Sequence, residues 1–215
     1  ENAKNKDLVL KPLKREGYKY FIGIDPAIST DGDYNVITVI EMDSDENKSI
    51  VYIDRAKNVQ FRENIQKVKL LGQMFRPEVI LFETNTFAKS FTQELRQVAD
   101  LNVHDFNTTR RKKQEIILNL QMTLENGKLN FPYGNEESRK VSSLLIEELS
   151  MFAITERGKF EGIGAHDDMV MSLALANAAT YQANDNFILL DDLGLFNETP
   201  NDGRKPVRNT IGLNF

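Results

Sequence analysis

The sequence predicts an α/β fold: a mixed sheet, an antiparallel meander followed by strand–helix alternation, flanked by helices. Three observations predict it. Apolar residues follow strand spacing over residues 18–56 and then alternate between helix and strand spacing. Turn-forming residues sit where the period changes. Acidic residues stand at the ends of predicted elements, at Asp25, Glu83 and the pair Asp167–Asp168.

Residues 18–25 form a first strand, and Ser29-Thr30-Asp31-Gly32-Asp33 supplies the turn that ends it. Val36 to Met42 and Ile50 to Ala56 are two further strands around the polar turn Asp43 to Lys48, so the three make a meander. Phe61, Ile65, Val68, Leu71 and Phe75 lie on one helix face that Arg76-Pro77 ends. Val79 to Phe82 is an unbroken apolar run of the buried-strand type. A helix carrying Ala88, Phe91, Leu95 and Val98 follows, then a short strand at Val103 to Phe106. Ile116 to Leu124 lies in a third helix stopped near Asn126-Gly127, and Leu129 to Phe131 is a small strand. A helix spans about Glu137 to Met151, a Gly-punctuated hairpin or loop covers Thr155 to Gly164, and a last helix runs from about Asp167 to Tyr181. The organisation is a linker over 1–16, one domain over 17–183 and a C-terminal tail over 184–215.

Composition narrows the chemistry. With 215 residues, 40% apolar and 27% charged, the chain supports one compact core. It has no cysteine, which removes thiolate nucleophiles, zinc–thiolate sites and iron–sulfur clusters, so a metal must be held by oxygen or by His104 and His166. No apolar run approaches the roughly 18 residues of a membrane span, and the polar start lacks the order of a signal peptide, so a soluble, intracellular chain is expected. The formal net charge is −5, yet the basic run Arg110-Arg111-Lys112-Lys113 makes a local cationic face on an acidic protein.

A three-strand meander followed by alternating helices and strands is the order expected of a ribonuclease H-like sheet. There the first strand is central, the fourth lies beside it, and a late helix passes the same edge. Asp25, Glu83 and Asp168 would then meet. Oxygen ligands at one sheet edge suit hard divalent cations, the outline of a metal-dependent phosphoryl-transfer site.

The motifs Gly23-Ile24-Asp25-Pro26-Ala27 with Gly32-Asp33-Tyr34, Phe82-Glu83-Thr84-Asn85 with Ala88-Lys89-Ser90, and His166-Asp167-Asp168-Met169 to Leu173 resemble the nuclease domain of large terminase subunits of tailed bacteriophages. The resemblance covers about residues 16–182. It implies an endonuclease that cuts concatemeric viral double-stranded DNA during genome packaging. It also implies an N-terminal packaging ATPase domain in the same protein, the portal protein and small terminase subunit as partners, and a place in the host cell cytoplasm at the capsid portal. This chain has no Gly-x-x-x-x-Gly-Lys-Ser/Thr phosphate loop, so it resembles a separated C-terminal domain, with residues 1–16 as the remnant of the interdomain linker.

The chemistry implied is two-metal phosphodiester hydrolysis with Mg²⁺ or Mn²⁺ about 3.5–4 Å apart. Asp25 is the natural bridging ligand, with Glu83 and Asp168 holding one metal each. Asp167 is an alternative ligand, because successive helical residues point about 100° apart and only one aims squarely at a metal. The resemblance favours Asp168, and Asp167 also fits as a helix cap. His166 and Asp33 are auxiliary candidates. For DNA the candidates are Lys89, Arg110, Arg111, Lys112, Lys113, Arg157 and Lys159, whose attraction to phosphate carries little sequence preference. Two rival readings are another ribonuclease H-like nuclease such as a junction resolvase, and a motor-to-portal docking domain with weak nuclease activity.

Overall fold

The computed structural model describes residues 3–11, 13–27, 34–84, 92–96, 101–154, 160–162 and 167–182. Nine strands and four helices are labelled here. The strands are β1 (Lys4–Asn5), β2 (Lys19–Asp25), β3 (Asn35–Met42), β4 (Lys48–Ala56), β5 (Val79–Glu83), β6 (Val103–Phe106), β7 (Leu129–Pro132), β8 (Phe152–Ile154) and β9 (Phe160–Gly162). The helices are α1 (Phe61–Phe75), α2 (Arg110–Glu125), α3 (Glu136–Met151) and α4 (Asp168–Gln182). Residues 92–96 are also helical, and the rest of the helix expected over 88–98 lies outside the described residues.

The sheet has seven strands in the order β1-β7-β4-β3-β2-β5-β6. β2, β3 and β4 pair antiparallel as the expected meander, while β5 lies parallel to β2 and β6 parallel to β5. β7 returns to the far side of β4 in parallel. Parallel pairs need crossovers, and α1 and α2 lie in the connecting segments. The mixed α/β sheet with flanking helices is as the sequence predicts.

Strand alternation sorts side chains onto two faces. Tyr20, Ile22 and Ile24 of β2 and Ile80 and Phe82 of β5 pack with Ile65, Val68, Leu71 and Phe75 of α1. Phe21 of β2 and Val79 and Leu81 of β5 pack on the other face with residues of α2, α3 and α4. α1 ends at Arg76, which takes a left-handed conformation (φ 47°) and donates its N–H to the Gly72 carbonyl at 2.9 Å, after which Pro77 prevents continuation.

α4 is the central helix. Every residue from Met169 to Thr180 is buried, because the sheet covers one side and α2 and α3 lean on the other. Its closest approach is to Gly23: a Cβ there would stand 2.1 Å from the Ser172 carbonyl oxygen and 2.3 Å from the Ala176 nitrogen, so only glycine fits. The Ser172 hydroxyl completes the contact, lying 3.0 Å from the Gly23 carbonyl and 2.9 Å from Thr38 Oγ1. Towards its C-terminal end, Asn177 accepts from Lys48 Nζ at 2.9 Å, and that buried ammonium lies 4.1 Å from the centre of the Tyr181 ring. Burial pulls Lys48 down to about 8.

Two elements differ from expectation. Lys4–Asn5, in the segment expected to be a linker, is an edge strand parallel to β7. Phe131 N donates to Ala3 O at 2.7 Å and Tyr133 N to Asn5 O at 2.9 Å, while Arg15 pairs with the buried Glu41 and stacks 4.0 Å from the Tyr18 ring centre. A two-residue strand is too short for periodicity to find. The hairpin expected over Thr155 to Gly164 begins earlier, with β8 paired antiparallel to β9 as Phe152↔Gly162 and Ile154↔Phe160. The expected tail over 184–215 lies outside the described residues.

Gly23→Ala should destabilise the protein by at least about 3 kcal/mol, the upper end for overpacking, because the clash is with backbone atoms. Chemical denaturation of the two proteins measures it, and equal midpoints would show that α4 does not sit this close.

Candidate active site

The contact at Gly23 sets where the acids lie. Asp25 is two residues farther along β2, and Asp168 is four residues, about 6 Å, before Ser172 along α4. Both displacements lead to the same edge. Gly23 pairs with Leu81 and Ile24 with Phe82, so continuing the register sets Asp25 beside Glu83 on adjacent parallel strands, about 4.8 Å apart. Parity puts both carboxylates on the α4 face, with Phe21, Val79 and Leu81.

Of the neighbouring acids, Glu83 acts most strongly on the Asp25 carboxyl. Burial, and then the charges of Glu83, Asp168 and Asp167, hold the Asp25 carboxyl well above the usual carboxylate range. Thus Asp25, Glu83, Asp167 and Asp168, distant in sequence, are electrostatic neighbours. Among the described residues, however, no three acidic or histidine side chains are gathered as a ready metal cage. The acids are held by protein partners instead: Asp167 Oδ2 lies 2.9 Å from Lys113 Nζ, and Asp168 Oδ2 accepts from the Tyr34 backbone N–H at 3.2 Å. As a donor set they are all oxygen, which fits a hard divalent cation, and the repulsion among them is the charge such an ion would relieve.

Asp167 and Asp168 have separate environments. The Asp167 carbonyl accepts from Met171 N at 2.9 Å, opening α4, but its carboxylate turns to Lys113. The amide of Met169 is capped from another helix: it donates to Glu148 Oε2 at 3.0 Å. The helix cap expected of the Asp167 side chain is therefore supplied by Glu148.

The basic run is the first turn of α2, begun by Thr109, whose side chain accepts from Lys112 N at 3.3 Å. Its members face different tasks. Lys113 joins Asp167, Arg111 Nε pairs with Glu115 at 3.1 Å, Lys112 lies 5.7 Å from the centre of the Phe106 ring, and Arg110 is exposed. His166, Asp33, Lys89, Arg157 and Lys159 lie outside the described residues. His104 is on β6 and hydrogen-bonds Asn102 at 2.8 Å.

Sequence reasoning did not single out Glu148, Arg55 or, beyond its place in a motif, Tyr34. Arg55 is opposite Val36, which is opposite Asp25, so Glu83, Asp25, Val36 and Arg55 form one row across four strands on one face. Only a settled strand register reveals that row. Nothing in Glu147-Glu148, near the end of an amphipathic helix, distinguishes one acid from the other. A cavity of about 460 Å³, lined by Lys48, Lys128, Thr123 and Tyr181 among others, is at the opposite end of α4 from these acids.

Comparison with known proteins gives the arrangement a context. A family model described as a terminase RNaseH-like domain matches residues 22–179. The large terminase subunits of Thermus virus P23-45 and Thermus phage G20c are each 23% identical over 197 residues, which is 84% of this chain and 38% of the relative. The chain thus spans well under half the length of these relatives. Among solved structures, the large terminase nuclease of thermophilic phage G20c with bound cobalt is similar with a TM-score of 0.60 at 24% identity, covering 76% of this chain and 82% of that one. The same nuclease with bound magnesium gives 0.59 at 23% over the same shares. A variant nuclease domain of the large terminase subunit of bacterial virus Sf6, with manganese, gives 0.54 at 11%, covering 74% and 88%.

A carboxyl raised in the fold binds more protons than it does unfolded, so its contribution to stability falls as pH rises from the ordinary carboxylate range through its folded value. In EDTA, Asp25→Asn should therefore raise the melting temperature at pH 7 to 8, with the gain shrinking to nothing below about pH 4, where unfolded aspartate is itself protonated. A gain that is constant with pH would place its origin elsewhere than in charge.

Proposed function

We propose a nuclease function from one premise: the chain belongs to the terminase RNaseH-like domain family. Our reading is a metal-dependent endonuclease that cuts concatemeric viral double-stranded DNA during genome packaging, with little sequence preference. The observation that carries it is the meeting of Asp25 and Glu83, from parallel neighbours, with the first turn of α4 at one sheet edge. Relatives of the same fold have been seen with bound cobalt, magnesium and manganese, which supports a divalent cation as the working partner of these acids.

In this reading Asp25, Glu83 and Asp168 are the catalytic carboxylates and hold Mg²⁺ or Mn²⁺. A bound pair of cations would supply Lewis-acid stabilisation to the attacking and leaving oxygens of phosphodiester hydrolysis. Asp25, flanked by the other acids, would help to hold both ions. Lys113 engages Asp167 and so favours Asp168 as the ligand from the helix. Arg110 and Lys112, exposed beside the site, offer positive charge to the DNA backbone and offset the repulsion between phosphate and the acid cluster.

The resemblance to much longer large terminase subunits supports a wider setting that we also propose: action beside an N-terminal packaging ATPase domain, with portal protein and small terminase subunit as partners, in the host cytoplasm. A two-residue edge strand followed by the tied-down Arg15 would then join that ATPase to the nuclease sheet.

Incubation of supercoiled plasmid with the chain in Mg²⁺ or Mn²⁺ should give nicked and linear DNA, none in EDTA, and a fall to background for Asp25→Asn and Asp168→Asn. Cleavage indifferent to both substitutions would sink the assignment. For Arg110→Ala and Lys112→Ala, the slope of log binding constant against log salt should flatten by about 0.9 per residue on duplex DNA, with equal effect on unrelated sequences. An unchanged slope would remove the basic turn from the interface.

A further inference from the structure

We infer that Glu148 is a positioning residue for the metal-binding carboxylate Asp168, acting with Arg55 through the first turn of α4 and through Tyr34. This rests on the reading of Asp168 as a metal ligand and adds residues that the reading does not contain.

Four contacts close a ring around Asp168. Glu148 Oε2 accepts from Met169 N at 3.0 Å, so the turn that carries Asp168 is fastened to α3. The other oxygen, Oε1, lies 3.2 Å from Arg55 Nη2, with the two side chains only 12% and 21% exposed. The Arg55 guanidinium stands 3.4 Å from the centre of the Tyr34 ring. Tyr34 in turn donates its backbone N–H to Asp168 Oδ2 at 3.2 Å. The helix turn is thus held from below and the carboxylate from the side, and Arg55 joins the two grips.

The arrangement has a cost that plain stability would not select. Arg55 Nε is buried without a hydrogen-bond partner, although a guanidinium offers five donors and a buried unmatched donor is unfavourable. Burial pushes the Glu148 carboxyl up, and the charge of Asp168 pushes it further, while Arg55 and the Met169 and Val170 amides oppose them. An acid placed this close to another acid is retained where its geometry is needed. A neutral cap such as serine on the helix itself would satisfy the same amides without that repulsion.

The test is calorimetric titration of Mn²⁺ into the whole chain, at a temperature where circular dichroism shows each variant folded. Glu148→Ala should weaken Mn²⁺ binding by about 10- to 100-fold, the range for outer partners of metal ligands. Glu148→Gln, whose amide oxygen still accepts from Met169 N–H but whose NH2 cannot accept from Arg55, should recover part of that affinity. Val68→Ala, which removes a buried side chain of α1 on the opposite face of the sheet, should lower the melting temperature and leave Mn²⁺ affinity unchanged. Unchanged affinity in folded Glu148→Ala, or an equal loss in Val68→Ala, would overturn the inference while leaving the metal reading intact. If the unmodified chain took up no Mn²⁺, the metal reading and this inference would fall together. Should Glu148→Ala fail to fold, Arg55→Lys keeps the charge and loses the flat contact with Tyr34: weaker Mn²⁺ binding is then expected, and unchanged binding overturns the proposal.

Discussion

The close contact between Gly23 and the turn of α4 at Ser172 fixes the rest of this structure. A strand and a helix normally meet through side chains, which leave room to slide. Here a backbone carbonyl and a backbone nitrogen of the helix occupy the space of a missing Cβ, and the Ser172 hydroxyl ties Gly23 to Thr38 across two strands. Such a contact admits one register. From it, the distances along β2 to Asp25 and along α4 to Asp168 follow from the rise per residue of strand and helix. Glu83 follows from the pairing of β5 with β2. The acidic edge results from one close approach rather than from three independent placements.

Negative charge at that edge is managed by the protein itself. Asp167 is engaged by Lys113, and Asp168 by the amide of Tyr34. Each grip lowers the repulsion that four acids in one place create, and each comes from a different element, so the charge is balanced from α2 and from the entry to β3. A cation entering this edge would compete with those partners. Lys113 is the notable one, because it belongs to a basic run that from sequence looks uniform and in the fold is divided between an internal ion pair and an exposed face.

Much of the fold was legible in the sequence, and the reason is strand and helix spacing. The meander, α1, β5, β6, β7, α3 and α4 all have apolar patterns that solvent and core impose directly. The central acids were legible because Asp25 and Glu83 end apolar strands and Asp168 opens an apolar helix, places where a charged residue needs a reason. What escaped depended on register or on pairing at a distance. β1 is two residues long and is defined only by its partner β7. Arg55 aligns with Asp25 only through Val36, after two strand pairings are known. Glu148 differs from Glu147 by one helical step, and Lys48 reads as a turn residue although it is buried beneath Tyr181. α4 has no polar face at all, so periodicity places it in the core without saying which of its turns touches Gly23.

The fastening of α4 at three levels has a consequence for how the molecule breathes. Glu148 holds the first turn, Gly23 and Thr38 the second, and Lys48 the last part of the helix at Asn177. A helix clamped at three points cannot fray from one end while the remainder stays docked. Its amide hydrogens should therefore be among the slowest to exchange with solvent, released only by opening of the whole chain, whereas the edge strand β1 can detach alone. Asp168 thus rides on a helix held at three levels, so its place at the acidic edge should last as long as that helix stays docked.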